Sequence, residues 1–267
     1  MALEPSNRRW SMIETRLSNL LRRDRSIVIL GIALILALSW RCIIWMATAM
    51  DTGTIDMVMP TPAPWSFSYA FMIFIMWAVM MAAMMTPSAA PMIITYAQMS
   101  RRRSGEKDPV GPAGLFALAY LAVWGVFSLA ATIAQWGLYK ASYLSPMMST
   151  TDKYIGGAIL ILAGVFQWTP LKRACLNRCR APIGFFMTEW RDGALGAFAM
   201  GIKHGAYCLG CCWALMAILF VTGVMNLLWV AVLAVFVLVE KVVPYGERIG
   251  FTSGFVLLGV GVWMMTL

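Results

Sequence analysis

His204-Gly205-Ala206-Tyr207-Cys208-Leu209-Gly210-Cys211-Cys212 contains the chain's single histidine and three of its six cysteines. The stretch opens a long apolar run, which points to a helix at least partly inside a membrane. On a helix, residues i, i+4 and i+7 share a face. His204, Cys208 and Cys211 therefore occupy a sector of about 60°, at about 100° per residue, with Cys212 just beside it. Imidazole and thiolates on one buried face make a soft-metal site, best matched to copper as Cu(I), with zinc the weaker match. Two other readings compete. Free cysteine also packs as a small apolar core residue, and Cys208-Leu209-Gly210-Cys211 has the spacing of a redox thiol pair.

The chain has 22 methionines, and methionine serves either as a flexible packing residue or as a thioether ligand. They concentrate between Met72 and Met92. Met72, Met76, Met80 and Met84 follow one another at i+4 and draw a slowly turning stripe. Met81 and Met85 lie about 100° round from Met80 and Met84, so not all of them can face one ion. Met80, Met84 and Met85 are the candidates to complete a ligand set begun by His204, Cys208, Cys211 and Cys212. Pro87 and Pro91 remove backbone donors and are expected to kink or break the helix that carries them. In a membrane the freed carbonyls must find neighbours or line a cavity.

Two weaker groups stand apart. Cys175 and Cys179 are i, i+4 in a basic segment and could form a second thiol pair handing metal to or from the first, but they read better as ordinary cytosolic thiols, because no other ligand lies near them in sequence. Asp51 and Asp56, flanked by Met50, Met57 and Met59, could gather a soft cation, but an ordinary Pro-rich loop fits the same residues.

Positioning these groups falls to apolar helices. The chain is 61% hydrophobic and 12% charged, against about 25% charged in soluble domains. Its apolar runs reach the ~20 residues that span a bilayer. They are continuous rather than alternating, which argues against a barrel. The expected fold is all-α: a polytopic transmembrane bundle of about seven spans, near 27–50, 65–99, 113–138, 155–168, 204–222, 225–243 and 249–267. A half-buried helix from Gly193 precedes the fifth. Residues 1–26 form a basic amphipathic arm on the inner leaflet, and 27–267 form the transmembrane domain. The first run is too long for a cleaved signal and is read as an anchor. Arg41, inside it, is expected to snorkel outward.

The net charge of +9 does not indicate nucleic acid, since the positive residues sit between apolar runs, where they set topology. The N-terminus and the loops 100–112, 171–193 and 241–248 carry the Lys/Arg excess, whereas 51–64, 139–154 and 223–226 do not. This pattern puts the N-terminus in the cytoplasm and makes the chain a multi-pass protein of a bacterial inner membrane. His204 then starts the fifth span on the inner side. Glu240 and Lys241 reach the same boundary, where Glu240 could pair with Lys203 or orient His204.

Three segments together resemble one bacterial family. They are Met-Met-Ala-Ala-Met-Met-Thr-Pro-Ser-Ala-Ala-Pro-Met (80–92), His-Gly-Ala-Tyr-Cys-Leu-Gly-Cys-Cys-Trp (204–213) and Glu-Lys-Val-Val-Pro-Tyr-Gly (240–246). The family is that of predicted metal-binding integral membrane proteins, a domain-of-unknown-function group. The likeness covers nearly the whole chain from about residue 27. It implies a bacterial inner-membrane protein and leaves the metal to be argued from the residues themselves.

The leading functional expectation is a copper-handling membrane protein whose partners are the lipid bilayer, a metal ion and a membrane cuproenzyme or other membrane subunit. No phosphate-binding Gly-rich loop is present to couple nucleotide hydrolysis to pumping, so delivery, storage or passive passage fits better. One histidine beside cysteines serves poorly as a hydrolytic base, which favours a binding protein over an enzyme. The alternatives are a membrane thiol oxidoreductase using Cys208 and Cys211, and a non-catalytic accessory subunit of a larger membrane complex.

Overall fold

The computed structural model describes residues 4–51, 66–103, 110–143 and 149–267, with the side chains of the first helix from 23 to 49. The loop holding Asp56, Met57 and Met59 lies outside the described residues. The described elements are ten helices: α1 (Glu4–Asp51), α2 (Phe67–Arg103), α3 (Val110–Lys140), α4 (Lys153–Phe166), α5 (Pro170–Arg180), α6 (Pro182–Glu189), α7 (Gly193–Ala217), α8 (Leu219–Thr222), α9 (Leu227–Val242) and α10 (Gly246–Thr266).

Local sequence sets several of the ends. The Asp152 carboxylate accepts the backbone N–H groups of Tyr154 and Ile155 and starts α4. Thr169 caps α5 by accepting from the Lys172 N–H, and Pro170 takes the first turn, where its missing donor costs nothing. The Asn226 side chain accepts from Trp229 N–H at the head of α9. Gly223 stops α8 at φ +93°, a left-handed value that favours glycine.

Among the described residues, five helices are long and apolar enough to cross a membrane: Arg23–Ala49, Phe67–Arg103, Val110–Lys140, Gly193–Thr222 and Gly246–Thr266. A sixth is counted if α4 and α5, bent by 65° at their junction, form one broken span. The expected count of seven differs for a reason of length. The 14 residues of α4 extend about 21 Å and the 16 of α9 about 24 Å, at ~1.5 Å per residue. Both fall short of the ~30 Å hydrocarbon layer.

Outward-facing apolar side chains line the long helices, among them Leu30, Leu34 and Leu38 of α1, Val126 and Ile133 of α3, and Phe255 and Val256 of α10. Arg41 also faces outward. The interior is built around α2, which packs against α1, α3 and α9, while α7 packs against α3 and α5. Asp24 of α1 and Arg101 of α2 form a buried ion pair, with Arg101 Nη2 donating to Oδ1 at 3.0 Å. Trp77 of α2 donates to Gln135 of α3 at 2.7 Å. The pair α4 and α10 approaches so closely that a Cβ on Gly157 would lie 2.7 Å from the Gly261 carbonyl, the small-residue contact typical of packed apolar helices.

α2 runs unbroken through Pro87 and Pro91. Side-chain hydroxyls supply extra donors around the prolines: Thr86 to Ala82 O at 2.6 Å, Ser88 to Met85 O at 2.9 Å and Thr95 to Pro91 O at 2.7 Å.

His204 sits in the middle of α7 rather than at the start of a span, because the helix begins eleven residues earlier at Gly193. Lys203 does not interrupt it. Its ammonium reaches Glu189 of α6 at 2.5 Å, on the partly exposed side. The pairing expected between Lys203 and Glu240 is therefore replaced by two others, since Glu240 of α9 binds Lys172 of α5 at 2.6 Å with both side chains buried.

Candidate metal centre

The helical register that put His204, Cys208 and Cys211 on one face holds in α7, and that face is the buried one: His204, Cys208, Cys211 and Cys212 are all buried. Small residues let it press inward. A Cβ on Gly201 would lie 2.3 Å from the Phe116 carbonyl of α3. That close approach seats the His204 ring against α3, stacked on Tyr120 at 5.4 Å and on Phe116 at 6.0 Å, with Phe185 edge-on at 6.0 Å. His204 Nδ1 is buried without a hydrogen-bond partner. Such an orphaned polar atom in a packed interior calls for a partner the protein alone does not provide.

One turn on, the Cys208 sulfur is the hub. Lys241 Nζ from α9 lies 2.9 Å from it and also reaches Ser88 Oγ of α2 at 3.1 Å. The Tyr120 hydroxyl of α3 lies 3.0 Å from the same sulfur and 3.2 Å from the Met85 carbonyl. Helices α3 and α9 thus meet α7 at one thiol, with Ser88 and Met85 of α2 one contact further out.

The other sulfurs gather around it. Cys211 and Cys212 donate back to the Cys208 carbonyl at 3.0 and 2.9 Å. Cys212 Sγ stands 4.0 Å from Met85 Sδ. Cys179 of α5 is buried in the same core cluster as these three thiols. All six cysteines are free.

Of the three methionines singled out in the sequence, Met85 is the one that meets a thiol among the described residues. Met80 and Met84 are equally buried, but at about 100° per residue they lie some 140° and 100° round the helix from Met85. Met81 and Met92 lie within about 40° of Met85 on the same helix and are also buried.

Sequence reasoning missed three contributors. Lys241 read as a boundary charge, yet an ionisable residue at the end of an apolar run is a functional candidate on cost alone. Tyr120 left no signal, being one of several aromatics in α3. Cys179 was set aside because its neighbours are distant in sequence; the i, i+4 spacing from Cys175 was its visible trace.

As the side chains stand, no group of three or more His, Cys, Asp or Glu residues among those described could hold a metal ion. The donor chemistry nevertheless matches a soft cation, with thiols and a thioether converging and an imidazole nitrogen unpaired beside them. Two of those thiols are turned onto a backbone carbonyl, an interaction that a thiolate, lacking a proton to donate, would relinquish.

The sequence model of the PpoB2 family, described as copper chaperone, matches residues 74–264. The matched stretch begins inside α2 and ends inside α10, so it includes every residue of the cluster just described and leaves α1 outside. No curated protein and no solved structure matches the chain.

Proposed function

We propose, from the premise that this chain belongs to the PpoB2 copper chaperone family, that it is an integral protein of the bacterial inner membrane. In this reading it holds Cu(I) between α2, α5, α7 and α9 and passes it to a membrane cuproenzyme. The observation that carries the reading is the meeting of Cys208, Cys212 and Met85 in one buried place, with Met85 Sδ 4.0 Å from Cys212 Sγ.

Cu(I) prefers soft thiolate and thioether donors, and thiols lose their protons on binding. Cys208, Cys211 and Cys212 supply thiolates, Met85 a thioether, and His204 an imidazole one turn away. Met80 and Met84 stay in the candidate set as buried thioethers further round α2. Zinc fits less well, since its closed tetrahedron of thiolate and imidazole leaves the Met85 thioether unused, whereas Cu(I) takes thioether donors.

Charge supports the same assignment. Where two of these three thiols bind as thiolates and the third keeps its proton, one Cu(I) leaves a net charge of minus one, which is costly away from water unless paired. The Lys241 ammonium, 2.9 Å from Cys208 Sγ, cancels it. The site would thus hold copper as a neutral unit.

In this reading the chain is a carrier and not an enzyme. The N-terminus, including the basic arm 1–26, lies in the cytoplasm, and a count of seven spans in 27–267 takes the broken α4–α5 pair as one and the short α9 as another, the bilayer thinning locally around it. The thiol oxidoreductase reading draws on the same Lys241–Cys208 contact, because a cation beside a cysteine is also a mark of reactive thiols. The deep burial of Cys208 and Cys211 denies them a disulfide partner protein and weighs against it.

The test is elemental analysis of protein purified in mild detergent from copper-supplemented cells, wild type against Cys208→Ser. About one copper per wild-type chain and a loss of at least tenfold in the variant are expected. Equal copper in both removes the proposal, and a trapped mixed disulfide with Cys211→Ser would restore the redox reading.

A further inference from the structure

The short helix α5 was expected to be a basic loop with two idle thiols. It is instead a fixed arm laid against α7. Lys172 near its start is paired with Glu240 of α9 at 2.6 Å. At its end, Arg180 donates to the Val243 and Pro244 carbonyls just after α9, the latter at 2.8 Å. Both ends of α5 are therefore tied to α9, and the two cysteines between them are held in place.

Those cysteines form a graded line of sulfur. Cys175 is half-buried and lies so close to α7 that a Cβ on Gly210 would be 2.8 Å from its sulfur. One turn on, Cys179 is 8% exposed and is buried in the core cluster that holds Cys208 and Cys211. Cys208 and Cys211 are 1% exposed and Cys212 not at all. Exposure falls to nothing along this series, and Cys175 packs against the buried core that holds the other four. Arg173 and Arg178, both exposed, flank Cys175 on α5.

Resting on the copper reading above, we infer that Cys175 is the port at which Cu(I) is received and that Cys179 relays it to the cluster on α7. The donor that fits is an anionic Cu(I)–thiolate complex, drawn by the exposed positive charges of Arg173 and Arg178 and small enough to reach a half-buried sulfur. The step is ligand exchange without redox change. A copper–sulfur bond to Cys175 forms as one to the donor breaks, and the Cys175 proton leaves with the departing donor thiolate. The same exchange repeats at Cys179, which gives up its proton to Cys175 as copper moves on. Gly210 is part of the device, since any side chain there would push the Cys175 sulfur away from α7.

The test is stopped-flow uptake of copper from Cu(I)–glutathione by the full-length protein in detergent micelles. It is paired with equilibrium competition against a Cu(I) chelator. Cys175→Ser is expected to slow uptake by about tenfold or more while leaving equilibrium affinity within about threefold. Cys175→Met, which keeps a soft sulfur, is expected to retain the faster rate. An unchanged rate in Cys175→Ser overturns the port while the copper reading stands. Equal slowing in both variants marks a packing effect and overturns it as well. Wild-type protein that takes up no copper at all overturns the copper reading itself, a distinct outcome.

Discussion

Lys241 Nζ of α9 lies 2.9 Å from Cys208 Sγ of α7, and both side chains are buried. The contact joins the last turn of one helix to the middle of another and sets a fixed positive charge against the sulfur where α3, α7 and α9 meet. It gives the cluster an electrostatic character that cysteines alone would not have, and the predictions below begin from it.

Replacing Lys241 with methionine keeps the length and apolar stem but removes the charge. A copper–dithiolate unit would then remain anionic in a dry interior. Copper affinity is expected to fall about 10–100-fold, the usual range for groups that support a ligand without being one. Chelator competition measures it. Affinity equal to wild type would show that Lys241 serves only to pack α9.

The Lys172–Glu240 pair is a stability element. Both side chains are only 2% exposed, and removing one partner of a buried pair strands the other charge. Glu240→Gln should cost about 3–5 kcal/mol, whereas the double change Lys172→Met with Glu240→Leu should cost much less. Thermal unfolding in detergent distinguishes the two. Equal losses in both would mean that the surrounding packing, not the stranded ammonium, sets the cost.

Where α4 and α10 meet, a Cβ on Gly164 would come within 2.8 Å of the Gly254 carbonyl. Backbone cannot give way as a flexible side chain can. Gly164→Val should destabilise the pair by about 1–3 kcal/mol through overpacking, seen as a lowered midpoint in thermal unfolding. Copper content of the folded fraction should be unchanged, because neither helix contributes a thiol to the cluster.

His204 is held by stacking on Tyr120 at 5.4 Å, with Nδ1 buried and unpartnered. His204→Phe preserves the stack and removes the nitrogen. Stability should hold or rise slightly, since an unsatisfied buried polar atom costs about 1–3 kcal/mol, while copper affinity should fall. A stable variant with wild-type affinity would assign His204 to packing.

Much of this arrangement was legible in the sequence because it is periodic. The i, i+4, i+7 spacing of His204, Cys208 and Cys211 depends only on helical geometry, and α7 realises it. The apolar runs pointed to the all-helical fold and to the ends of α2, α3 and α10 within about four residues, whereas α7 starts eleven residues before the expected fifth span. What sequence could not convey is which helix lies beside which. Cys179 and Cys208 are neighbours only because the chain bends at Thr169-Pro170 and α5 folds back on α7. Lys241 reaches Cys208 only because α9 packs beside α2. Glu240 was matched to Lys203 by depth, when the partner lay on a helix that the sequence presented as a loop. The methionine stripe was ambiguous for a related reason: the face of α2 turned toward the thiols is selected by its neighbours, and it is the face bearing Met85.

X-ray absorption at the copper edge on Cu(I)-loaded protein tests the central claim most directly, because it reports the atoms bound to the metal. The account predicts a coordination shell dominated by sulfur that is lost or markedly reduced in a Cys208→Ser, Cys212→Ser double variant. A shell of nitrogen and oxygen alone, or an identical spectrum from the double variant, would contradict it.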